Sequence, residues 1–168
     1  MSVSKARIIA QPLTSDAFAP FGDVLSVEGE PDKLINQGFC KRYHDRAQLD
    51  FGPEGRAGIS LFKAQLRSLP YRLEMMERHP DGSQAFLPLD VHPFLVIVAE
   101  DEGGKPGMPH AFLTHTGEGI NLHRGTWHGV LTPLAGNGLF AVIDRIGETL
   151  NLEEHWFDAP FEVVGQSF

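Results

Sequence analysis

Turn-forming residues interrupt this chain at short intervals, and this feature constrains the fold more than any other. Eighteen glycines and twelve prolines are spread over 168 residues, and almost no segment keeps a helical period for long. Short extended segments joined by turns are typical of antiparallel all-β domains, and residues 135–138 (AGNG) are expected to form one hairpin turn. We therefore predict one domain over residues 1–168, an antiparallel β-barrel with one or two short helices, the first of them capped by Thr14 or Ser15.

The charge balance of the chain narrows the range of partners. There are 14 basic and 22 acidic residues, so the formal net charge is -8 and a polyanion would be repelled. The start of the chain, MSVSKARIIAQPL, has no apolar core of signal-peptide length, and the longest apolar run, residues 94–99, is too short to span a membrane. We therefore expect a cytoplasmic protein that binds neither nucleic acid nor a membrane.

One predicted strand has an apolar face that ends in two chemically active residues. Every second residue from position 71 contributes to this face: Tyr71, Leu73, Met75, Glu77 and His79. Alternate side chains of a strand point to the same side, so Glu77 and His79 are expected to project together.

Two more residues complete a candidate metal site with this pair. A turn at residues 80–83 reverses the chain and brings Gln84 back towards Glu77 and His79, while His128 arrives from a separate strand. Two imidazoles, a carboxylate and an amide oxygen suit a divalent transition metal. The alternative reading of the same residues is a hydrogen-bonded polar cluster that holds no metal.

These positions resemble the two sequence motifs of the cupins. Residues 117–128 match the second motif, with His123 in place of its proline. The first motif, His-x-His-x4-Glu, is matched by Glu77, His79 and Gln84, with two of its three ligand types changed.

At a finer level the chain resembles the ureidoglycolate lyase family, from about Leu13 to Arg145. The tail from Ile146 onward carries no matching motif. The segments that carry the resemblance are residues 42–45 (RYHD), 77–80 (ERHP), 84–88 (QAFLP), 119–128 (GINLHRGTWH) and 143–145 (IDR).

This resemblance implies a fold, an activity and a cofactor. The fold would be a cupin-like, RmlC-type barrel or jelly roll. The activity would be cleavage of ureidoglycolate to glyoxylate and urea, in allantoin and purine degradation for nitrogen assimilation. The family further implies a homodimer, a divalent ion of the nickel type and no organic cofactor.

The reaction implied by the family assigns roles to the candidate residues. A base must take the hydroxyl proton of the substrate and an acid must help urea to leave. Glu77 and His79 would transfer protons directly or hold a metal, and Gln84 and His128 would complete the metal shell. His123 is a candidate acid or substrate ligand.

The substrate carboxylate would also need a cation. Lys63 is the favoured candidate, because alternation places it on the same face as Ile59 and Leu61, which we expect to point inward. The alternative is a lysine at a strand end that extends into solvent. Arg145 is expected to form a structural ion pair with Asp144.

Three further residues are candidates near the site. His44 would contact the substrate if its segment covers the mouth of the barrel, and otherwise belongs to a polar edge strand. Trp127 would contact the substrate or belong to the barrel core. Arg78 alternates away from Glu77 and is expected at the surface or an interface.

Two other functions fit the same residues. Hydrolysis of the ureido group would release ammonia and carbon dioxide, because a metal at this site can also activate water. A cupin-like module that binds a small carboxylate without turnover is the second alternative, because a fold does not fix a function.

Overall fold

The computed structural model describes residues 5–167 of the chain. The α-helix in this range is α1 (Ser15–Phe18), and a 3-10 turn covers Asn36–Gly38. The strands are β1 (Arg7–Ile9), β2 (Gln11–Pro12), β3 (Gly22–Leu25), β4 (Lys33–Ile35), β5 (Cys40–Arg42), β6 (Arg56–Lys63), β7 (Tyr71–Arg78), β8 (Gln84–Pro88), β9 (Phe94–Ala99), β10 (His110–Leu113), β11 (Gly119–Leu122), β12 (Trp127–His128), β13 (Thr132–Pro133), β14 (Leu139–Ile146) and β15 (Glu153–Val164).

Two large sheets face each other. The eight-stranded sheet has the order β1-β15-β7-β12-β9-β10-β2, with β13 also paired to β9, and the five-stranded sheet has the order β3-β11-β8-β14-β6. Strands β4 and β5 form a separate ribbon. The pairs are antiparallel except β1 with β15 and β2 with β10, which are parallel. The predicted all-β, mainly antiparallel barrel is therefore confirmed, and within the described residues parallel pairing occurs only at two outer positions of the larger sheet.

An apolar core fills the space between the two sheets. Both sheets contribute to it, and α1 closes one side with Phe18. Aromatic rings meet edge to face within it, as for Phe94 and Phe140 at 5.0 Å between centroids. The buried members of this inner core are Leu13, Phe18, Phe21, Phe86, Phe94, Val96, Val98, Phe112, Ile120, Leu122, Phe140 and Val142.

A second core lies on the opposite face of the larger sheet, and it corrects one expectation. Tyr71 and Leu73 belong to this outer core together with Met76, so strict alternation does not hold along β7. The pairing of β15 with β7 shifts in register after Trp156, and the faces of β7 exchange there. The prediction that Tyr71 and Leu73 share a face with Glu77 is therefore wrong.

The local signals at the first helix are confirmed, and one turn differs from expectation. The backbone N–H of Ala17 donates to the Thr14 hydroxyl at 3.2 Å, which is the predicted cap of α1. Residues 135–138, expected as a hairpin turn, instead connect β13 in one sheet to β14 in the other. Within residues 5–167, no helix has the length and apolar character needed to cross a membrane.

Candidate metal centre

The structure brings three of the predicted residues together at one end of the barrel. Glu77 lies near the end of β7, His79 follows that strand directly, and His128 on β12 pairs directly with Glu77. One ligand atom from each of the three lies within 4.8 Å of the others. The imidazole rings are 5.1 Å apart between centroids. We call Glu77, His79 and His128 the inner cluster.

Backbone carbonyls behind the two histidines fix which ring nitrogen faces the cluster. His79 Nδ1 lies 2.9 Å from the Asn151 carbonyl oxygen, and His128 Nδ1 lies 2.8 Å from the Gly129 carbonyl oxygen. Because a carbonyl oxygen only accepts, each Nδ1 carries the hydrogen and each Nε2 keeps a free lone pair. Both Nε2 atoms are buried without a hydrogen-bond partner in residues 5–167, which is the arrangement a metal ion requires of its imidazole ligands.

Gln84 supplies a third buried atom of the same kind. It is 6% exposed and lies on the interior face of β8, as does Phe86, which lines a small cavity together with His128. Its side-chain Nε2 donates to Asp144 Oδ2 at 3.1 Å, and its Oε1 is buried with no partner in the described range. Together with Glu77, His79 and His128, Gln84 offers a set of donor atom types that suits a divalent transition metal.

Burial shifts the pKa values of the inner cluster in opposite directions. Burial, reinforced by the neighbouring His79, lowers the pKa of His128 from 6.5 to about 4. The ring is therefore neutral at pH 7. Burial raises the pKa of the Glu77 carboxyl, while His79 acts against this rise and Glu154, directly opposite on β15, adds to it. A carboxyl with a raised pKa is better suited to accept and return a proton near neutral pH.

Trp127 lies on the side of β12 away from the inner cluster. It is 2% exposed in the outer core, and its Nε1 donates to Asp101 Oδ1 at 2.9 Å. Neighbouring residues of a strand face opposite ways, so Trp127 and His128 cannot share a site. The structure places Trp127 in the outer core, as the alternative prediction had it, and not beside the inner cluster. Arg78, 4.6 Å from the Trp127 ring, also points away from the cluster as predicted.

His123 also projects away from the barrel interior. Leu122 belongs to the inner core, and His123 and Asn121 face the other side of β11, where both reach Asp23. His123 Nε2 lies 3.1 Å from Asp23 Oδ2. Burial alone would raise the pKa of Asp23, but hydrogen bonds from Gln48 and Asn121 outweigh it and lower the pKa. The structure does not bring His123 to the inner cluster.

Lys63 lies far from the candidate site, contrary to expectation. Ile59 and Leu61, taken as inward-facing, are 77% and 67% exposed on the outer side of β6. Lys63 Nζ donates to the Asn137 carbonyl oxygen at 2.7 Å. Lys63 pairs with Leu139, at the end of β14 opposite to Asp144, roughly 16 Å away at the usual strand rise. The inward placement of Lys63 is therefore wrong.

Two other predicted residues have structural surroundings. Arg145 does not pair with Asp144: its Nε donates to the Phe51 carbonyl at 2.8 Å and another guanidinium nitrogen donates to the Thr149 hydroxyl at 2.9 Å. The predicted ion pair is wrong. His44 follows β5 in an exposed segment, where its backbone N–H donates to Asp32, and within residues 5–167 no side-chain contact joins His44 to the inner cluster.

The sequence gives little sign of the segment that positions His79. Residues beyond Ile146 match no motif, yet β15 pairs along β7 and the preceding Asn151 accepts from His79. Asn151 has φ +46°, a left-handed conformation that asparagine adopts more readily than most residues. Its side-chain oxygen also accepts from the Asp81 backbone N–H at 2.7 Å. In the sequence, the signal for this arrangement is weak: it consists of an asparagine placed before the alternating, aromatic residues of β15.

A second group of potential ligands lies near the surface, with two exposed members and a buried Glu118. Glu28, His115 and Glu118 also place ligand atoms within 4.8 Å of one another, and we call them the outer cluster. Here Glu118 Oε1 accepts from the His115 backbone N–H at 2.7 Å and lies 2.6 Å from His115 Nδ1. Two of the three groups therefore satisfy each other.

Fold and site together define a small all-β barrel with a candidate metal centre at one end of its interior. The chain belongs to the ureidoglycolate lyase family, since the family model described as "Ureidoglycolate lyase" matches residues 5–164. The resemblance seen in the sequence motifs is thus confirmed.

Relatives named ureidoglycolate lyase match nearly the whole chain. The protein of Rhodobacter capsulatus is 58% identical over 95% of this chain and 99% of its own length. That of Chelativorans sp. is 52% identical over 94% and 96%, and "Ureidoglycolate lyase 2" of Rhizobium meliloti is 51% identical over 91% and 94%.

Among solved structures the similarity is weaker. A dTDP sugar isomerase from Desulfovibrio desulfuricans matches with a TM-score of 0.39 at 16% identity, over 83% of this chain and 84% of that one. RmlC from Streptococcus suis matches with a TM-score of 0.32 at 13% identity, over 82% and 55%.

Proposed function

We propose that this protein is a lyase that cleaves ureidoglycolate to glyoxylate and urea, in allantoin degradation. Relatives named for this activity match almost its full length at 58% and 52% identity. The observation that carries the proposal at the level of chemistry is the convergence of unpaired, buried Nε2 atoms of His79 and His128 beside the Glu77 carboxylate. Buried polar atoms are normally hydrogen-bonded, so such a group indicates a binding function.

We propose that Glu77, His79, Gln84 and His128 hold a divalent ion of the nickel type. Two imidazole nitrogens, a carboxylate oxygen and an amide oxygen form a donor set suited to such ions. When bound, the ion would supply positive charge that stabilises the negative charge developing on the substrate hydroxyl oxygen. The reaction moves one proton and transfers no electrons to another molecule, so it requires no organic cofactor.

The reaction balances around a single proton. The substrate hydroxyl loses a proton, its oxygen forms the aldehyde of glyoxylate, the carbon–nitrogen bond breaks, and the departing urea nitrogen takes up a proton. Glu77 would accept the first proton, because burial raises the pKa of its carboxyl. Since His123 faces the other side of β11, we propose that Glu77 also returns the proton to the urea nitrogen.

Product analysis tests this proposal directly. Freshly prepared ureidoglycolate would be incubated with the protein, with and without a chelator, and glyoxylate, urea and ammonia would be measured together. Urea formed in equal amount to glyoxylate, and lost with the chelator, supports a metal-dependent lyase. Ammonia in place of urea would establish an amidohydrolase instead, and binding without any product would establish a binding module.

We further propose that the protein acts as a homodimer in the cytoplasm. Ile59 and Leu61 are exposed on β6, an outer strand of the five-stranded sheet, and a second copy of the chain would cover them in a self-complementary interface. Sedimentation equilibrium should give twice the chain mass of 18.5 kDa. A mass of one chain at all concentrations would refute the dimer.

A further inference from the structure

We infer that Asp144 is a positioning residue that makes Gln84 a metal ligand. It holds the amide so that Oε1 faces the metal centre, and it places a negative charge directly behind that amide. The inference rests on the proposed metal centre, and it addresses the position at which the chain has an amide where the cupin motif has a carboxylate.

The orientation of the Gln84 amide follows from the chemistry of its neighbour. Gln84 on β8 and Asp144 on β14 are directly paired, and Gln84 Nε2 lies 3.1 Å from Asp144 Oδ2. An ionised carboxylate only accepts hydrogen bonds, so the NH2 end of the amide must face Asp144. The Oε1 end then points away from Asp144, into the buried position where it has no partner in residues 5–167.

The Asp144 carboxylate is free to act on Gln84 alone. Within the described range it forms no ion pair, and Arg145 beside it is held by the Phe51 carbonyl and the Thr149 hydroxyl. On its other side β14 pairs with β6, where the residue opposite Asp144 is Gly58, which has no side chain. Within the described range, the Asp144 side chain therefore accepts its hydrogen bond from Gln84.

This arrangement compensates electrostatically for the missing carboxylate ligand. The hydrogen bond from Nε2 to a charged acceptor raises the electron density on the amide oxygen and makes Oε1 a stronger donor to a cation. The Gln84–Asp144 pair carries one negative charge, as a glutamate ligand would. That charge lies on Asp144, one hydrogen bond away from the ligand side chain. Partners behind metal ligands commonly tune affinity in this way.

A double-mutant cycle on nickel affinity tests the inference. Ni²⁺ binding to chelator-treated protein would be measured by calorimetry for the wild type, Asp144→Asn, Gln84→Ala and the double variant. Asp144→Asn removes the charge and lets the amide adopt either orientation, so affinity should fall by about 10- to 100-fold. In the Gln84→Ala background the same substitution should have no further effect on affinity, because Asp144 acts on the metal only through the Gln84 amide.

Exchanging the amide and the carboxylate between positions 84 and 144 distinguishes a positioning role of Asp144 from a role in folding. In Asp144→Asn combined with Gln84→Glu, the new amide can donate to the new carboxylate and the pair again carries one negative charge. Affinity should return to the wild-type level or above it. A merely structural role for Asp144 would not predict this recovery.

Glu154→Gln is the matched control for charge. It removes a carboxylate opposite Glu77 on β15, and in the described structure Glu154 forms no hydrogen bond with a metal ligand. Its effect on affinity should be smaller than that of Asp144→Asn. Equal effects of the two variants, or an Asp144→Asn protein that binds Ni²⁺ as tightly as the wild type, would overturn the inference. A wild-type protein that binds no Ni²⁺ would instead refute the proposed metal centre.

Discussion

The inner and outer clusters contain the same kinds of residues but differ in which atoms remain unpaired. Each combines histidine and glutamate side chains whose ligand atoms lie within 4.8 Å. In the inner cluster, Nδ1 of both His79 and His128 faces a backbone carbonyl, and both Nε2 atoms are buried and unpaired in the described chain. In the outer cluster, Nδ1 of His115 lies against Glu118 itself.

Composition and proximity therefore do not distinguish the two clusters, whereas their hydrogen bonding does. A ligand must have its lone pair directed at the metal, and a hydrogen bond on its far side secures that direction. The backbone provides this bond for His79 and His128. His115 and Glu118 instead bond to each other, so neither directs a free lone pair at a metal. We therefore expect the inner cluster to bind metal and the outer cluster to stabilise its own loop.

The largest expected difference is in turnover. Glu77→Gln removes the proposed base, so kcat should fall by about 10²- to 10⁴-fold, while substrate binding changes much less. Glu28→Gln in the outer cluster is the matched control and should keep wild-type kinetics. Steady-state assays of glyoxylate release measure both variants. A Glu77→Gln protein with wild-type turnover would exclude Glu77 as base and as essential ligand.

The second expected difference is in the pH dependence of stability without metal. The pKa of His128 is about 4 in the folded chain against an ordinary 6.5, so the unfolded chain binds the proton more readily between these values. As the pH falls from 6.5 to 4, the free energy of unfolding should decrease by at most about 3 kcal/mol. Glu77 acts oppositely, because its raised pKa favours proton uptake by the folded chain, and it reduces this slope.

Urea denaturation at a series of pH values, with chelator present, measures this slope. His128→Gln should flatten it, because the buried titrating ring is gone. His115→Gln should leave it unchanged. Equal slopes for wild type and His128→Gln would show that His128 is not held neutral by the fold.

A smaller effect is expected at the outer cluster. Glu118→Ala removes the acceptor of the His115 backbone N–H, so the protein should lose about 1–3 kcal/mol of stability. Nickel affinity and turnover should stay at wild-type values. Thermal unfolding and nickel calorimetry on the same sample check both parts. A loss of nickel affinity without a loss of stability would indicate that the outer cluster, and not the inner one, binds the metal.

The smallest effect is expected at Lys63. Its ammonium bonds the Asn137 carbonyl at the far end of β14 from Asp144. Lys63→Ala should therefore leave the KM for ureidoglycolate unchanged. An increase in KM of tenfold or more, about 1.4 kcal/mol of binding, would place Lys63 at the substrate through a rearrangement or a second copy of the chain.

The sequence predicts the elements of the site because strand alternation is a local property. Glu77 and His79 are two residues apart at the end of an extended run, and a tight turn returns the chain to Gln84. His128 is separated from them by a long stretch of chain, so no local pattern places it beside them, and the resemblance to the second cupin motif supports its inclusion. The all-β fold followed from the spacing of turn residues alone.

The failed predictions for Lys63 and Trp127 share one physical cause. Alternation shows which residues share a face of a strand, but not which face points inward. Ile59 and Leu61 are apolar yet exposed, because they lie on the outer side of β6, and Lys63 was misplaced with them. Trp127 is buried on the opposite side of its strand from His128.

Pairing between distant segments could not be predicted either. The faces of β7 exchange where its pairing with β15 shifts in register, and β15 lies about 80 residues later in the chain. The contacts of Asn151 with His79 and of Asp144 with Gln84 arise only once the sheets assemble.

Nickel stoichiometry compares the two clusters most directly. Chelator-treated wild type, His128→Ala and His115→Ala would be dialysed against Ni²⁺, and the bound metal would be counted per chain by mass spectrometry, with circular dichroism to verify folding. We predict one ion per chain in the wild type and in His115→Ala, and none in His128→Ala. Retention of the ion in a folded His128→Ala protein, or its loss in His115→Ala, would contradict the assignment of the inner cluster as the metal centre.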